Sequence, residues 1–142
     1  MTAVTTELFR FPYTVRFHDT DPAGIVFFAH YFRIAHEAYE AWLESVGQPL
    51  AIYVDDTKAG LPIATSTADY HRSLRLGERV TITVELKRLG HTSYTLRYRF
   101  LDAEGMSTTE IETVHVHLDT ETRRPTLLPP ALAAVLAGRE SG

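Results

Sequence analysis

Cysteine is absent from all 142 residues. That excludes disulfides, a thiolate nucleophile and any zinc–thiolate centre. Long apolar runs are missing too. None approaches the ~20 residues that span a bilayer, so no membrane association is expected. The opening Met1–Glu7 has no basic stretch leading into an apolar one, and no signal peptide is expected. There is no excess of positive charge. A net charge of −4 argues against a general nucleic-acid binder. No repeat, linker or low-complexity segment breaks the chain, so a single domain over residues 1–142 is expected. Together these absences fit a cytoplasmic protein.

What is present is ordinary globular material, 44% hydrophobic and 23% charged. A chain of this length buries about two-thirds of its unfolded surface. Charge is unevenly spread. Arg72, Arg75, Arg79, Lys87, Arg88, Arg97 and Arg99 make up half of the 14 basic residues. Such a stretch suits either a small anionic ligand or a solvated strand face.

Hydrophobic periodicity divides the chain. Residues 1–8 are polar and expected to fray. From Phe9 to His18 apolar residues alternate, which predicts a half-buried strand, and Pro12 suits an edge or a bulge. Asp19 to Gly24 breaks the alternation with turn chemistry, and Gly24 suits a positive φ or a close ligand. From Ala29 to Val46 the period becomes helical. One stripe holds Tyr31, Ala35, Ala38 and Trp42, and the next holds Phe32, His36, Tyr39, Leu43 and Val46. Arg33, Glu37, Glu40 and Glu44 form a charged stripe opposite. Such a helix spans roughly 27 Å, about the width of five strands at ~4.8 Å spacing. Gly47 and Pro49 end it. A connector follows to Gly60, with a short helical turn at 50–54.

Four strands are predicted next: Ile63–Leu74, Glu78–Leu89, Tyr94–Leu101 and Ser107–Leu118. Gly90–Ser93 and Asp102–Gly105 form hairpin turns. A bulge is expected near Thr113, where Ile111 and Val114 fall out of phase. His115 and His117 share one strand face and are expected to be exposed. They amount to half a metal site at most, and no metal is expected. Pro130–Leu136 reads as a terminal helix. One strand, a long helix and four strands imply an α+β layer fold. A five-stranded sheet can wrap that helix on one face only, so a partner subunit is expected to cover the other, giving a homo-oligomer, dimer or tetramer.

The segment Phe17-His18-Asp19-Thr20-Asp21-Pro22-Ala23-Gly24-Ile25-Val26-Phe27-Phe28 resembles the signature of the 4-hydroxybenzoyl-CoA thioesterase family of hotdog-fold proteins. His36-Glu37-Ala38-Tyr39-Glu40-Ala41-Trp42-Leu43 is similar to the subset that includes 1,4-dihydroxy-2-naphthoyl-CoA thioesterases. Gly77–Val80 and Arg88–Tyr94 also fit the family's strand pattern, and the resemblance runs from Phe9 to Leu118. It implies a hotdog fold, a five-stranded antiparallel sheet wrapped around one long central helix. It implies hydrolysis of an acyl-CoA thioester without a cofactor, with Asp21 as nucleophile or as general base. Both roles need an ionised carboxylate beside the carbonyl carbon. Read without the resemblance, Asp21 before Pro22 is an ordinary turn residue.

The resemblance also implies that the main-chain amide of Phe28 stabilises the oxyanion, a task suited to the unpaired N–H groups of a helix start. Asp19 could pair with Asp21 around Mg²⁺ or bond the amides of its own turn, and the second reading is favoured. His36 is either a hydrogen-bonded core residue or part of the acyl pocket. In the hydroxybenzoyl enzymes a carboxylate occupies that place, so His36 points to a different aromatic acyl group. For coenzyme A, whose phosphates need cations and amides, the candidates are Arg88, His91, Thr92 and Ser93, with Lys87 and Arg72 behind them. Two rival readings share the fold: a non-catalytic acyl-CoA or acyl-carrier binding module, and a hydratase, whose motif is not seen.

Overall fold

The computed structural model describes residues 5–55 and 59–138. Strand β1 (Thr6–Thr14) leads into helix α1 (His30–Ser45) and a short α2 (Ala51–Asp55). Then come β2 (Ala59–Gly60), β3 (Ile63–Tyr70), β4 (Arg79–Leu89), β5 (Ser93–Leu101), β6 (Ser107–Val116), β7 (Leu118–Asp119) and α3 (Pro130–Leu136). Five strands form one antiparallel sheet in the order β1-β4-β5-β6-β3, while β2 and β7 pair as a separate ribbon. This is the expected α+β hotdog arrangement, with α1 laid across one sheet face. Among the described residues no helix is long and apolar enough to cross a membrane.

The helix follows from its stripe. Tyr31, Ile34, Ala35, Ala38, Tyr39, Trp42 and Leu43 are buried, against Val80, Ile82, Val84, Leu96, Tyr98, Phe100 and Ile111 of the sheet. Truncating one such large side chain costs about 2–5 kcal/mol. α1 ends in a Schellman motif. Gly47, at φ 75°, donates to the Glu44 carbonyl at 3.2 Å and Gln48 donates to that of Leu43 at 2.8 Å. Pro12 sits on the edge strand β1, where a missing N–H costs least.

Several expectations are corrected. The first strand stops at Thr14, because Phe17–Asp19 closes a 3₁₀ turn, and Phe17 is 78% exposed instead of facing inward. The second predicted strand stops at Tyr70, short of Leu74. β6 pairs regularly with β5 through Thr113. The extra residue near that point is Ala64 on β3, and the bulge of β6 itself falls at Thr108. Ile111, Thr113 and His115 all face the core, so two polar residues hide the alternation. The basic stretch is largely neutralised across the outer sheet face. Arg99 pairs with Glu85 at 2.6 Å, Arg97 with Glu110 at 3.1 Å, and Lys87 with Glu112. Arg72 pairs with Glu78 at 2.5 Å and with Asp102 at 3.3 Å.

His115 and His117 are buried, not exposed. The His117 Nδ1 lies 2.7 Å from the Leu127 carbonyl. The His115 ring stacks with Tyr39 and with Tyr94, with centroids 4.6 and 4.8 Å away. Its Nε2 lies 2.8 Å from the Thr113 hydroxyl, and that hydroxyl meets Tyr98 at 3.2 Å. Tyr39 and Tyr94 share a hydroxyl–hydroxyl bond of 2.5 Å.

Burial pushes the His115 imidazole down to about 3, helped by the nearby His36. In the unfolded chain the group titrates near 6.5. Below that pH the unfolded state binds a proton that the folded state refuses, so stability falls with falling pH. Urea titrations from pH 7 to 4.5 should show a loss approaching about 1.4 kcal/mol per pH unit. His115→Phe, which keeps the stack, should flatten that slope. Parallel pH curves for the two proteins would show that His115 does not set the acid limit.

Candidate active site

The turn between β1 and α1 is fixed by its own backbone. Thr20 bridges Val26, Asp21 N–H donates to the Ile25 carbonyl at 2.9 Å, and Gly24 N–H donates to that of Asp21 at 2.9 Å. Gly24 takes φ 79° with open space where a Cβ would lie, so backbone shape, not crowding, requires glycine. Val26 N–H bonds Leu74 at 2.9 Å and Leu76 N–H bonds Gly24 at 3.1 Å, which docks the turn onto the chain leading into β4.

The two acids of the turn diverge. Asp19 is fully buried. It accepts from the Tyr13 hydroxyl at 2.6 Å, from the Arg16 amide at 2.8 Å and from the Arg33 guanidinium. Burial alone would raise its carboxyl, but these three donors outweigh burial and hold it below the usual range. Tyr13 is pushed up to about 12 by burial and by its bond to Asp19. The expected amide bonding by Asp19 is therefore present. Arg33 is more than a member of a solvated stripe, since it reaches back to the turn as well as to Glu37 at 2.6 Å. Asp21 is half-buried, and among the described residues its Oδ1 accepts only the Ala23 amide, at 2.8 Å.

Asp21 and Phe28 line one cavity of about 410 Å³. Phe27 N–H is used by the Asp19 carbonyl at 2.9 Å, whereas Phe28 N–H has no acceptor among the described residues. α1 starts at Ala29 without a side-chain cap and without an acid in its first turn. Its positive end is therefore open to a developing negative charge. A carboxylate, an unpaired amide and a cavity between them form a site able to polarise a carbonyl and attack it, or to activate water against it.

The cavity has a further wall that periodicity does not reveal. Tyr70, His71, Arg72 and Ser73 line it from the end of β3. Tyr70 donates to the Phe28 carbonyl at 2.8 Å, and its ring meets Tyr31 edge-on at 5.2 Å. The visible signal was Asp69-Tyr70-His71 inside the least patterned strand.

Other candidates lie elsewhere. His36 is outside this cavity, two turns along α1, with Nδ1 3.0 Å from the Glu40 carboxylate. Arg88, His91, Thr92 and Ser93 stand at the opposite end of the sheet. Ser93 pairs with Val116, whereas Tyr70 pairs with Thr109, and Thr109 with Phe100, at the cavity end. The His91 and Thr92 carbonyls accept Leu128 and His117 amides at 2.9 Å. His91 lines a second cavity of about 380 Å³ with Leu127 and Leu128. Lys87 is committed to an ion pair, and Arg72, which does line the first cavity, pairs with Glu78 and Asp102.

This chain has relatives among known proteins. It is 34% identical over 130 residues to the 1,4-dihydroxy-2-naphthoyl-CoA hydrolase of Rippkaea orientalis, covering 90% of this chain and 94% of that protein. Its fold is similar to the crystal structure of a 1,4-dihydroxy-2-naphthoyl-CoA thioesterase from Synechocystis, with TM-score 0.87 and 25% identity, covering 91% and 95% of the two chains. It is also similar to a gentisyl-coenzyme A thioesterase, with TM-score 0.78 and 26% identity, covering 87% and 98%. Residues 15–136 match the thioesterase-like superfamily, and the chain belongs to that family.

Proposed function

We propose that the acyl-CoA thioesterase chemistry of this chain runs in the cavity between the Asp19–Gly24 turn and the start of α1. The observation that carries the reading is that Asp21 and Phe28, whose amide has no acceptor among the described residues, line the same cavity. The thioester carbonyl sits between them. Its oxygen accepts the Phe28 N–H, and negative charge developing there is stabilised by the positive end of α1. Asp21 then acts in one of two ways. As nucleophile it adds to the carbonyl carbon, the C–S bond breaks, CoA leaves as thiolate, and water hydrolyses the mixed anhydride. As general base it takes a proton from the water that attacks directly. Neither route uses a metal or an organic cofactor.

An aromatic acyl group is the proposed substrate class. Phe27, Phe28, Tyr31 and Tyr70 give the cavity aromatic walls that suit a stacked ring, and the naphthoyl and gentisyl names of the relatives support it. The working unit is a homo-oligomer in the cytoplasm. The outer edge of β3 has no neighbouring strand in the sheet, and Phe28 is 62% exposed beside it. One chain keeps the cavity and the Arg88–Ser93 hairpin at opposite ends of its sheet. Any CoA contact by Arg88, His91, Thr92 or Ser93 therefore comes from a neighbouring copy.

Three measurements test this reading. Asp21→Asn should lower kcat by about 10³-fold with an unchanged melting temperature, read by thiol release from a panel of aromatic, short and long acyl-CoAs. Wild-type turnover in that variant rejects Asp21, and a wild-type protein that hydrolyses none of the panel faster than buffer supports a binding module. Phe28→Pro deletes the amide and should cost about 10²–10³ in kcat, while Phe28→Ala keeps the amide and most of the rate. Equal losses in the two would remove the oxyanion role. Light scattering should give a dimer or tetramer, and a monomeric mass for active enzyme would refute the shared site.

A further inference from the structure

The acid that the fold buries is not the acid that the reaction uses. Asp19 receives donors from three separate parts of the chain: Tyr13 on β1, the Arg16 amide of the turn, and Arg33 on α1. Its own carbonyl accepts Phe27 N–H at 2.9 Å. Asp19 is thus two residues from Asp21 along the chain and one hydrogen bond from the residue preceding Phe28. Both halves of the active site are tied to it. The Asp21 side chain, by contrast, has a single local bond, to Ala23, and no bond to α1 among the described residues. Its distance from the Phe28 amide is therefore set by the backbone of the turn, which the Asp19 carbonyl ties to Phe27. A displacement of about 1 Å between reacting groups can cost ~10²-fold in rate.

We propose that Asp19 is a positioning residue for thioester hydrolysis, its carboxylate gripping Tyr13, Arg16 and Arg33 so that the turn holds Asp21 at a fixed spacing from the Phe28 amide. Arg33 is the far anchor of this clamp, because it alone carries the grip onto α1. The inference rests on the roles assigned above to Asp21 and Phe28. It adds that Arg33, one turn along the helix and outside the lining of the cavity, controls the chemical step.

The test compares Arg33→Met, Arg33→Lys, Tyr13→Phe and Asp21→Asn, using whichever of benzoyl-CoA and 1,4-dihydroxy-2-naphthoyl-CoA wild type turns over faster. Arg33→Met should lower kcat by about 10- to 100-fold while KM stays within about threefold, in protein with a wild-type circular dichroism spectrum. Arg33→Lys restores the charge and should recover part of the loss. Amide hydrogen exchange at Phe27 should quicken in Arg33→Met, since its bond to Asp19 loosens. Should Arg33→Met not fold, Tyr13→Phe carries the test. It removes one hydroxyl from a mostly preserved volume and should show the same kcat-only loss on a smaller scale. Wild-type kcat in both variants, or a kcat loss that only follows the folded fraction, overturns the proposal. An inactive Asp21→Asn beside a fully active Arg33→Met defeats the positioning role alone. An active Asp21→Asn defeats the site and this inference together.

Discussion

A buried helix must do something with the amides of its first turn. They have no acceptor inside the helix, and leaving them dry and unpaired costs free energy. Most helices solve this with a Ser, Thr, Asp or Asn cap. α1 has Ala29 at that position and no side-chain cap. Its body is held by a broad apolar face against the sheet, so the helix does not depend on a cap for its existence. The segment entering α1 is therefore free to leave the Phe28 amide without an acceptor among the described residues, and Phe28 lines the cavity. Burial of the body and openness of the start are two sides of one arrangement, and the site follows from it.

The turn that faces those amides has to be rigid, and its stiffness comes from several weak sources. Backbone bonds close it on itself and dock it onto residues 74–76. A positive φ at Gly24 makes the closure possible. Tyr70 reaches across from β3 to the carbonyl of Phe28. Each is worth on the order of 1 kcal/mol, but they converge on ten residues, from Asp19 to Phe28, and leave that segment little freedom.

Much of this was legible in the sequence, and the parts that were not have a common cause. Helix α1 was read as residues 29–46 and runs from His30 to Ser45. The terminal helix matches from Pro130 to Leu136, and the inward rows of β4 and β5 follow their alternation. These features depend on period, which neighbouring residues carry. What escaped depends on contacts between distant segments. His115 looked solvent-facing because histidine usually is. The tyrosines that stack with it come from α1 and β5. Likewise Tyr70 to Ser73 carry no local mark of the cavity, and Glu110 and Glu112, which neutralise the basic stretch, belong to another strand. The thioesterase-like family was legible from twelve residues of turn. The separation of the Arg88–Ser93 hairpin from that turn was not, since it follows only from strand register.

The Asp-x-Asp spacing makes the limit concrete. In an extended strand two such carboxylates share a face and repel. The predicted alternation ends at His18, so Asp19 and Asp21 fall in a turn. The chain has already left the strand in the 3₁₀ turn at Phe17–Asp19, and the two acids meet different surroundings. One carboxylate is carried into the protein, where its three donors keep it ionised and immobile. The other is left at the rim of the cavity with a single amide. Two chemically identical side chains thereby acquire opposite properties: the first cannot reach a ligand, and the second is accessible because its neighbour takes the structural load. A turn with only one acid would have to combine anchoring and accessibility in the same group. Those demands conflict, because every donor that fixes a carboxylate also occupies the lone pairs it would use on a carbonyl carbon or a water. Separating them over two positions resolves the conflict, and one residue between them is enough.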